Sequence, residues 1–318
     1  MLKASVIITL YNKRPYIKRA IESVQKQSVK DIEVIVVNDG STDDSKKIVE
    51  SIEDNRIILI NQENQGGPSA ANKGVRESNS DFITFLDADD EWTENHLESL
   101  LRLREKFPEA GAYSSALLTC KDGKNLIKNK YKHIPPSPWE GIIPNYFKSE
   151  TDGFHPISTI VVGMNKKIFN EMRGFDEKAY WGPDLDLWTR IAIKYPIAFT
   201  WDIGAIYHKE VENRMCLNRD PILYHPLIAN GKKAIKNNEI PKDMLPYFKE
   251  HIAKKEIQII ARNILVGDIN TAKKMVKEVE TKKYYFAKFK CQVYSQLPNS
   301  IYKFIHRWKF IFRPISIL

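Results

Sequence analysis

Apolar positions in the first hundred residues alternate between two rhythms. Short, nearly continuous apolar runs at 5–10, 32–37, 57–62 and 81–86 predict strands. Between them the spacing lengthens to that of a helix. Ile17, Ile21 and Val24 recur within 16–24, Ile48, Val49 and Ile52 lie on one side of 41–52, and a third helix fits 67–78. Strand–helix alternation with short connections predicts an α/β fold, a Rossmann-like and mostly parallel sheet flanked by helices. Ligands in such sheets bind at the C-terminal edge of the strands. After residue 110 the pattern is less regular. Pro135-Pro136-Ser137-Pro138 marks a loop, 155–162 reads as a further strand, and 184–195 reads as a helix with Leu185, Trp188, Ile191 and Ala192 apolar. From Pro221 the spacing is helical throughout, with a stop and restart at Gly267-Asp268-Ile269-Asn270, so we expect one domain over 1–220 and an α-helical C-terminal region over 221–318.

Composition narrows the class. The chain has 318 residues, enough for a large core, and no run long and apolar enough to span a membrane. The apolar run 5–10 that follows Met1-Leu2-Lys3 is too short and poorly flanked for a signal peptide, and three widely separated cysteines, Cys120, Cys216 and Cys291, suit a reducing compartment. The expected location is therefore cytoplasmic. The net charge of +9 is unevenly spread: residues 1–220 carry 30 basic against 33 acidic side chains, and residues 221–318 carry 19 against 7.

The chemistry gathers where strands end. Phe82 to Leu86 runs into Asp87-Ala88-Asp89-Asp90, and carboxylates this close repel unless a cation or a proton lies between them. A hard divalent ion, Mg²⁺ or Mn²⁺, suits oxygen ligands, while the alternative is an acidic turn in which Asp90 starts the next helix. After the second strand, Asp39 could accept from a nucleobase N–H or serve as a cap, with Gly40 turning the chain and Ser41 or Asp43 capping. The loop from Asn64 through Gly66 and Gly67 to Ser69 opens a helix whose backbone donors suit an anion.

Four segments together resemble the ordered motifs of family 2 glycosyltransferases: Ser-Val-Ile-Ile-Thr-Leu-Tyr-Asn at 5–12, Val-Ile-Val-Val-Asn-Asp-Gly-Ser-Thr-Asp-Asp-Ser at 34–45, Asn-Gln-Gly-Gly-Pro-Ser-Ala-Ala-Asn at 64–72 and Phe-Leu-Asp-Ala-Asp-Asp at 85–90. The resemblance covers about 4–210 and implies a GT-A fold that binds a nucleotide-diphosphate sugar. It implies that Thr9, Tyr11 and Asp39 contact the base, that Gly67 belongs to the donor site, that Asp87 lies near ribose and metal, and that Asp89 binds Mn²⁺ or Mg²⁺. Tyr180-Trp181-Gly182-Pro183-Asp184-Leu185-Asp186-Leu187-Trp188 is similar to the family's base-bearing segment. Asp184 matches the catalytic base of an inverting transfer, with Asp186 a second candidate, and His208 matches a third metal ligand or a diphosphate contact. Arg214 would meet phosphate oxygens or be an ordinary surface arginine.

Two positions depart from the family pattern. Ala71 stands where arginine is usual, with Lys73 or Arg76 as substitutes, and Pro183 stands where a glutamate is usual. The expected function is a hexosyltransferase using a UDP-linked donor and a saccharide or lipid-linked oligosaccharide acceptor, in bacterial surface polysaccharide synthesis. The alternatives are a nucleotidyltransferase of related fold and a non-catalytic membrane-docked protein. The tail, 281–318, has eight basic residues, no acidic ones and ten aromatics. It reads either as an interfacial helix on anionic lipid, with Ile301, Ile305, Trp308 and Phe312 in one stripe, or as a cap docking its aromatics. No nucleic-acid motif accompanies the charge.

Overall fold

The computed structural model describes residues 2–211 and 220–297. Arg214, Cys216 and the stripe from Ile301 to Phe312 lie outside them. The chain divides into two compact units, Met1–Glu212 and Asn213–Leu318.

The first unit runs β1 (Ala4–Leu10), α1 (Ile17–Gln25), β2 (Ile32–Asp39), α2 (Ser45–Glu50), β3 (Ile57–Gln62), α3 (Gly67–Glu77), β4 (Phe82–Asp87), β5 (Glu91–Trp92), α4 (His96–Lys106), β6 (Ala112–Cys120), β7 (Leu126–Lys128), β8 (Glu140–Ile142), α5 (Tyr146–Asp152), β9 (Val162–Asn165), α6 (Lys166–Glu171), α7 (Pro183–Lys194) and β10 (Ile197–His208). All ten strands form one sheet, in which β3-β2-β1-β4-β9-β6-β10-β5 are neighbours in that order. β1, β2, β3 and β4 pair in parallel. β9 is antiparallel to both β4 and β6, so β4 and β6 point the same way, and β10 pairs in parallel with β6. The long strands therefore deliver their C-terminal residues, among them Leu10, Asp39, Asp87 and His208, to one edge.

Burial on both faces explains the apolar runs. Val6, Ile8 and Leu10 of β1 and Val34 and Val36 of β2 pack with Ile17, Ile21 and Val24 of α1. The alternate residues Ile35 and Val37 pack with Ala70 of α3 on the other face. Gly74 of α3 lies so close to β1 that a Cβ there would stand 2.5 Å from Ile7 Cγ2, which brings the helix down onto the sheet.

Three expectations need correction. The strand expected over 155–162 begins at Val162, after a 3₁₀ turn over Thr159–Val161. Pro156 cannot donate to a ladder, and β9 pairs only briefly on each side. Asp90 does not start a helix: the chain enters β5, and α4 begins at His96 with Asn95 as its N-cap. The second helix begins at Ser45 rather than 41.

The second unit contains α8 (Pro226–Lys236), α9 (Leu245–Val266), α10 (Ile269–Glu278) and α11 (Tyr285–Tyr294). Ile257, Ile260 and Ile264 of α9 pack with Ala272 and Val276 of α10 and Cys291 of α11. Gly267 ends α9 and Asp268 caps α10, its side chain accepting from Thr271 N at 3.2 Å. Among the described residues no helix is long and apolar enough to cross a membrane.

Candidate active site

The acidic residues after β4 fold into a tight turn, with Asp90 N donating to Asp87 O at 3.1 Å. The carboxyl oxygens of Asp87, Asp89 and Asp90 lie within 4.8 Å of one another. Burial and crowding raise the proton affinities of Asp87 and Asp90. Burial first, then the charges of Asp89 and Asp184, push the Asp87 carboxyl up to about 7, with Lys13 opposing. Asp90 is likewise raised, by burial and by the charges of Asp87 and Asp89. Its Oδ1 accepts from His208 N at 2.7 Å, while Oδ2 is buried with no hydrogen-bond partner among the described residues. A cluster of hard oxygen donors with one buried oxygen to spare fits a divalent cation such as Mn²⁺ or Mg²⁺.

One cation is supplied by the chain. Lys13 Nζ stands 2.6 Å from Asp89 Oδ2, and Arg19 Nη2 donates to the backbone carbonyl of Asp89. Neither contact was anticipated. The signal was present in Asn12-Lys13-Arg14, since a basic loop after β1 must face the end of its neighbour β4, where Thr9 is the register partner of Asp87. Thr9 is half-buried, whereas Tyr11 is exposed.

The second and third loops are tied together by Asp39. Its Oδ1 accepts from Gln62 Nε2 and Gln65 N, and its Oδ2 from Gly66 N, each at 2.8 Å. It therefore caps no helix of its own and fixes the loop that opens α3. A carboxylate has about four acceptor positions, so one on Oδ2 remains. Gly40 is required here twice over: its φ is +71°, and a Cβ would meet Asn64 N at 2.8 Å. Gly67, by contrast, has open space where a Cβ would stand, beside the helix N-terminus. Asn12 joins the first loop to the second, its Oδ1 accepting from Thr42 N at 2.8 Å. Asp43 accepts from Ser45 N and Arg14 N, both at 3.0 Å.

Asp184 reaches the cluster by way of aromatic packing. Phe85 lies two residues before Asp87, hence on the same face of β4, and Trp188 lies one turn after Asp184 on α7. Phe85 packs on Phe169 and Phe175 with ring centroids 5.9 and 5.4 Å apart, and Phe175 packs edge-on to Trp188 at 5.8 Å. Such pairs contribute about 0.5–1.5 kcal/mol each beyond area burial. Asn72 of α3 latches the segment before α7, its side chain accepting from Phe175 N and donating to Phe175 O, both at 2.9 Å. Pro183 occupies the first turn of α7, where its missing N–H costs nothing.

Other candidates are engaged elsewhere. Asp186 is 1% exposed, and its Oδ2 accepts from Arg190 Nε at 2.8 Å, so its carboxylate belongs to an internal ion pair. Ala71 is buried in α3, and Arg76 pairs with Glu177 at the surface, 3.8 Å away. The His208 ring is shared between carboxylates, with Nδ1 2.6 Å from Glu210 Oε1 and Nε2 3.0 Å from Glu91 Oε1. Burial lowers its pKa, but these two partners outweigh burial and the net direction is upward. His208 touches the acidic turn through its backbone, while its ring groups with Cys120 and Glu210.

Residues 5–172 match the sequence model for "Glycosyl transferase family 2". A 106-residue stretch is 39% identical to the GalNAc(5)-diNAcBac-PP-undecaprenol beta-1,3-glucosyltransferase of Campylobacter jejuni, covering 32% of this chain and 34% of that protein. A 99-residue stretch is 39% identical to the glycosyltransferase GlyG of Streptococcus pneumoniae, covering 30% of this chain and 33% of that protein. The chain spans less than half the length of these curated relatives. The crystal structure of S. aureus TarS 1-349 in complex with UDP-GlcNAc superposes with a TM-score of 0.64 at 15% identity, over 98% of this chain and 93% of that one, which establishes a GT-A fold. With a family match over more than half its length, the chain belongs to glycosyl transferase family 2.

Proposed function

We propose that the protein is an inverting, metal-dependent glycosyltransferase. It moves a hexose from a UDP-linked donor to a hydroxyl of a saccharide or lipid-linked oligosaccharide, in the assembly of a bacterial surface polysaccharide. The observation that carries this reading is the clustered acidic turn of β4, to which ring packing from Phe85 through Phe175 to Trp188 ties α7, the helix that bears Asp184. The UDP-GlcNAc bound by TarS and the undecaprenol-linked glycan named for the Campylobacter jejuni relative support the donor and acceptor classes.

In this mechanism the loops hold the donor and α7 works on the acceptor. Thr9, Tyr11 and the remaining lone pair of Asp39 receive the base, and the N-terminus of α3 at Gly67 faces the diphosphate. Asp89 and Asp87 would hold a divalent cation, with His208, whose ring is shared by Glu210 and Glu91, the candidate third ligand. When bound, that cation supplies positive charge against the leaving diphosphate. Lys13, paired with Asp89 in this structure, would add a positive charge beside the phosphates. Asp184 takes the proton of the acceptor hydroxyl as its oxygen attacks the anomeric carbon from the face opposite the diphosphate, which inverts the configuration.

The raised Asp87 pKa provides a direct test. The folded-state value, about 7, lies above the ordinary 3.8. The folded protein therefore holds this proton more tightly: the stability it contributes is present below about pH 4 and lost as pH rises towards 7. A cation competes with that proton, so its benefit follows the opposite course. Thermal melting with UDP-sugars and Mn²⁺ should show a large rise at about pH 8 and little at about pH 5.5. No Mn²⁺-dependent rise with any nucleotide sugar at the higher pH would refute the proposal.

The tail has two kinds of aromatic. Tyr284 and Tyr294 pack on the α9–α10 core, whereas Tyr285, Phe286 and Phe289 are exposed, the last two by 67% and 50%. Lys282 and Lys283 are exposed beside them and Lys290 Nζ lies over the Phe286 ring, 5.2 Å from its centroid, whereas Lys288 donates to Val279 O; exposed aromatics with these cations suit an anionic lipid surface. The Phe286→Ser, Phe289→Ser double variant should float less with phosphatidylglycerol vesicles than the unaltered protein while melting at the same temperature. Equal flotation would reject the lipid reading.

A further inference from the structure

Helix α5 carries two buried polar side chains that none of these roles uses. Tyr146 and Glu150 lie one turn apart and are 4% and 2% exposed. Glu150 is in contact with the His155 ring. The Tyr146 ring is fixed edge-on to Phe147 with centroids 5.5 Å apart, yet its hydroxyl is buried with no hydrogen-bond partner among the described residues. A buried hydroxyl without a partner destabilises a fold, and phenylalanine would fill the same space without that penalty. Burial first, then the charges of Glu150 and Asp184, hold the phenol well above its ordinary pKa of 10. It therefore stays a hydrogen-bond donor, within electrostatic reach of the proposed base. One turn beyond Asp184, the buried Trp188 Nε1 also has no partner among the described residues.

We infer that Tyr146 is a positioning residue for a polyhydroxylated acceptor, its hydroxyl donating to an acceptor oxygen next to the hydroxyl that faces Asp184. The inference rests on the transferase reading above and adds the source of acceptor selectivity. A site holding an unpartnered donor discriminates strongly against ligands that lack the matching oxygen, because the donor then stays unsatisfied.

The test is Tyr146→Phe in the full chain, with UDP-glucose and UDP-N-acetylglucosamine as donors and alkyl glycosides as acceptors. The variant should melt at the same or a higher temperature and bind UDP with Mn²⁺ as before. It should hydrolyse donor in water at an unchanged rate, while transfer to glycoside falls about tenfold, mainly through the acceptor KM. Unchanged transfer would overturn the inference, as would equal losses of transfer and hydrolysis. A lowered melting temperature with unchanged acceptor KM would assign the hydroxyl a purely structural role and overturn it too. If the unaltered protein neither binds UDP nor turns over a donor, the transferase reading itself fails, which a Tyr146-specific failure would leave intact.

Discussion

Asp184→Asn should lower sugar transfer by about 10²- to 10⁴-fold, the range lost when a positioned general base is removed. Nucleotide binding should be unaffected. Asparagine keeps the size and first-turn position of the aspartate on α7 but cannot take the acceptor proton. The substitution also removes one of the charges that raise Asp87, so the Asp87 pKa should fall and Mn²⁺ binding should persist to lower pH than in the unaltered protein. Lost transfer with retained UDP affinity marks the base, while the shifted pH dependence of cation binding follows from the lost charge alone and checks that Asp184 acts on Asp87. Paired calorimetry and single-turnover transfer would measure both, and an active Asp184→Asn enzyme would refute the assignment.

The first half of the fold was readable because parallel strands advertise themselves. β1, β2 and β4 are buried on both faces, so their apolar runs are unbroken, and the helices between them keep one apolar side. β6 lies just as deep in the sheet and escaped notice. Ser114, Ser115 and Thr119 interrupt its apolar run, and each is buried only because the tertiary structure supplies a partner: Pro156 O, His96 Nδ1 and Asn129 Oδ1. Hydropathy cannot foresee such partners. β9 was misjudged for a related reason, since its short pairing depends on two distant strands on either side of it.

The site divides along the same line. Asp87 and Asp89 were visible because adjacent carboxylates at a strand end are chemically odd, and Asp184 because of a motif at a helix start. What joins them is long-range. The ring contacts from Phe85 to Phe175 to Trp188 and the Asn72 latch span more than a hundred residues of chain. Asn72 was quoted as part of a motif, but its work at Phe175 follows only from the packing of α3. Asp186 shows the converse: two residues from Asp184 in sequence, it turns instead into an ion pair with Arg190.

Asp89→Ala should weaken Mn²⁺-dependent UDP binding by at least about 100-fold, more than the loss seen when only a supporting partner of a metal ligand is removed. Metal-free folding should change far less. In the unaltered protein Asp89 adds to the repulsion that raises Asp87 and also holds Lys13 at 2.6 Å. Its removal relieves the first and ends the second contact, and Lys13 already acts on Asp87 in the opposite sense to Asp89. Melting without cation should therefore stay near that of the unaltered protein, while the rise produced by Mn²⁺ with UDP disappears. A Lys13→Met variant should do the reverse, since Asp89 is left free for the cation: Mn²⁺ affinity should rise, and the donor's diphosphate should lose a cationic neighbour. Calorimetry of Mn²⁺ and UDP on both variants distinguishes a cation site guarded by lysine from a simple structural ion pair. In the latter case Asp89→Ala and Lys13→Met would lower stability together, and neither would alter nucleotide binding.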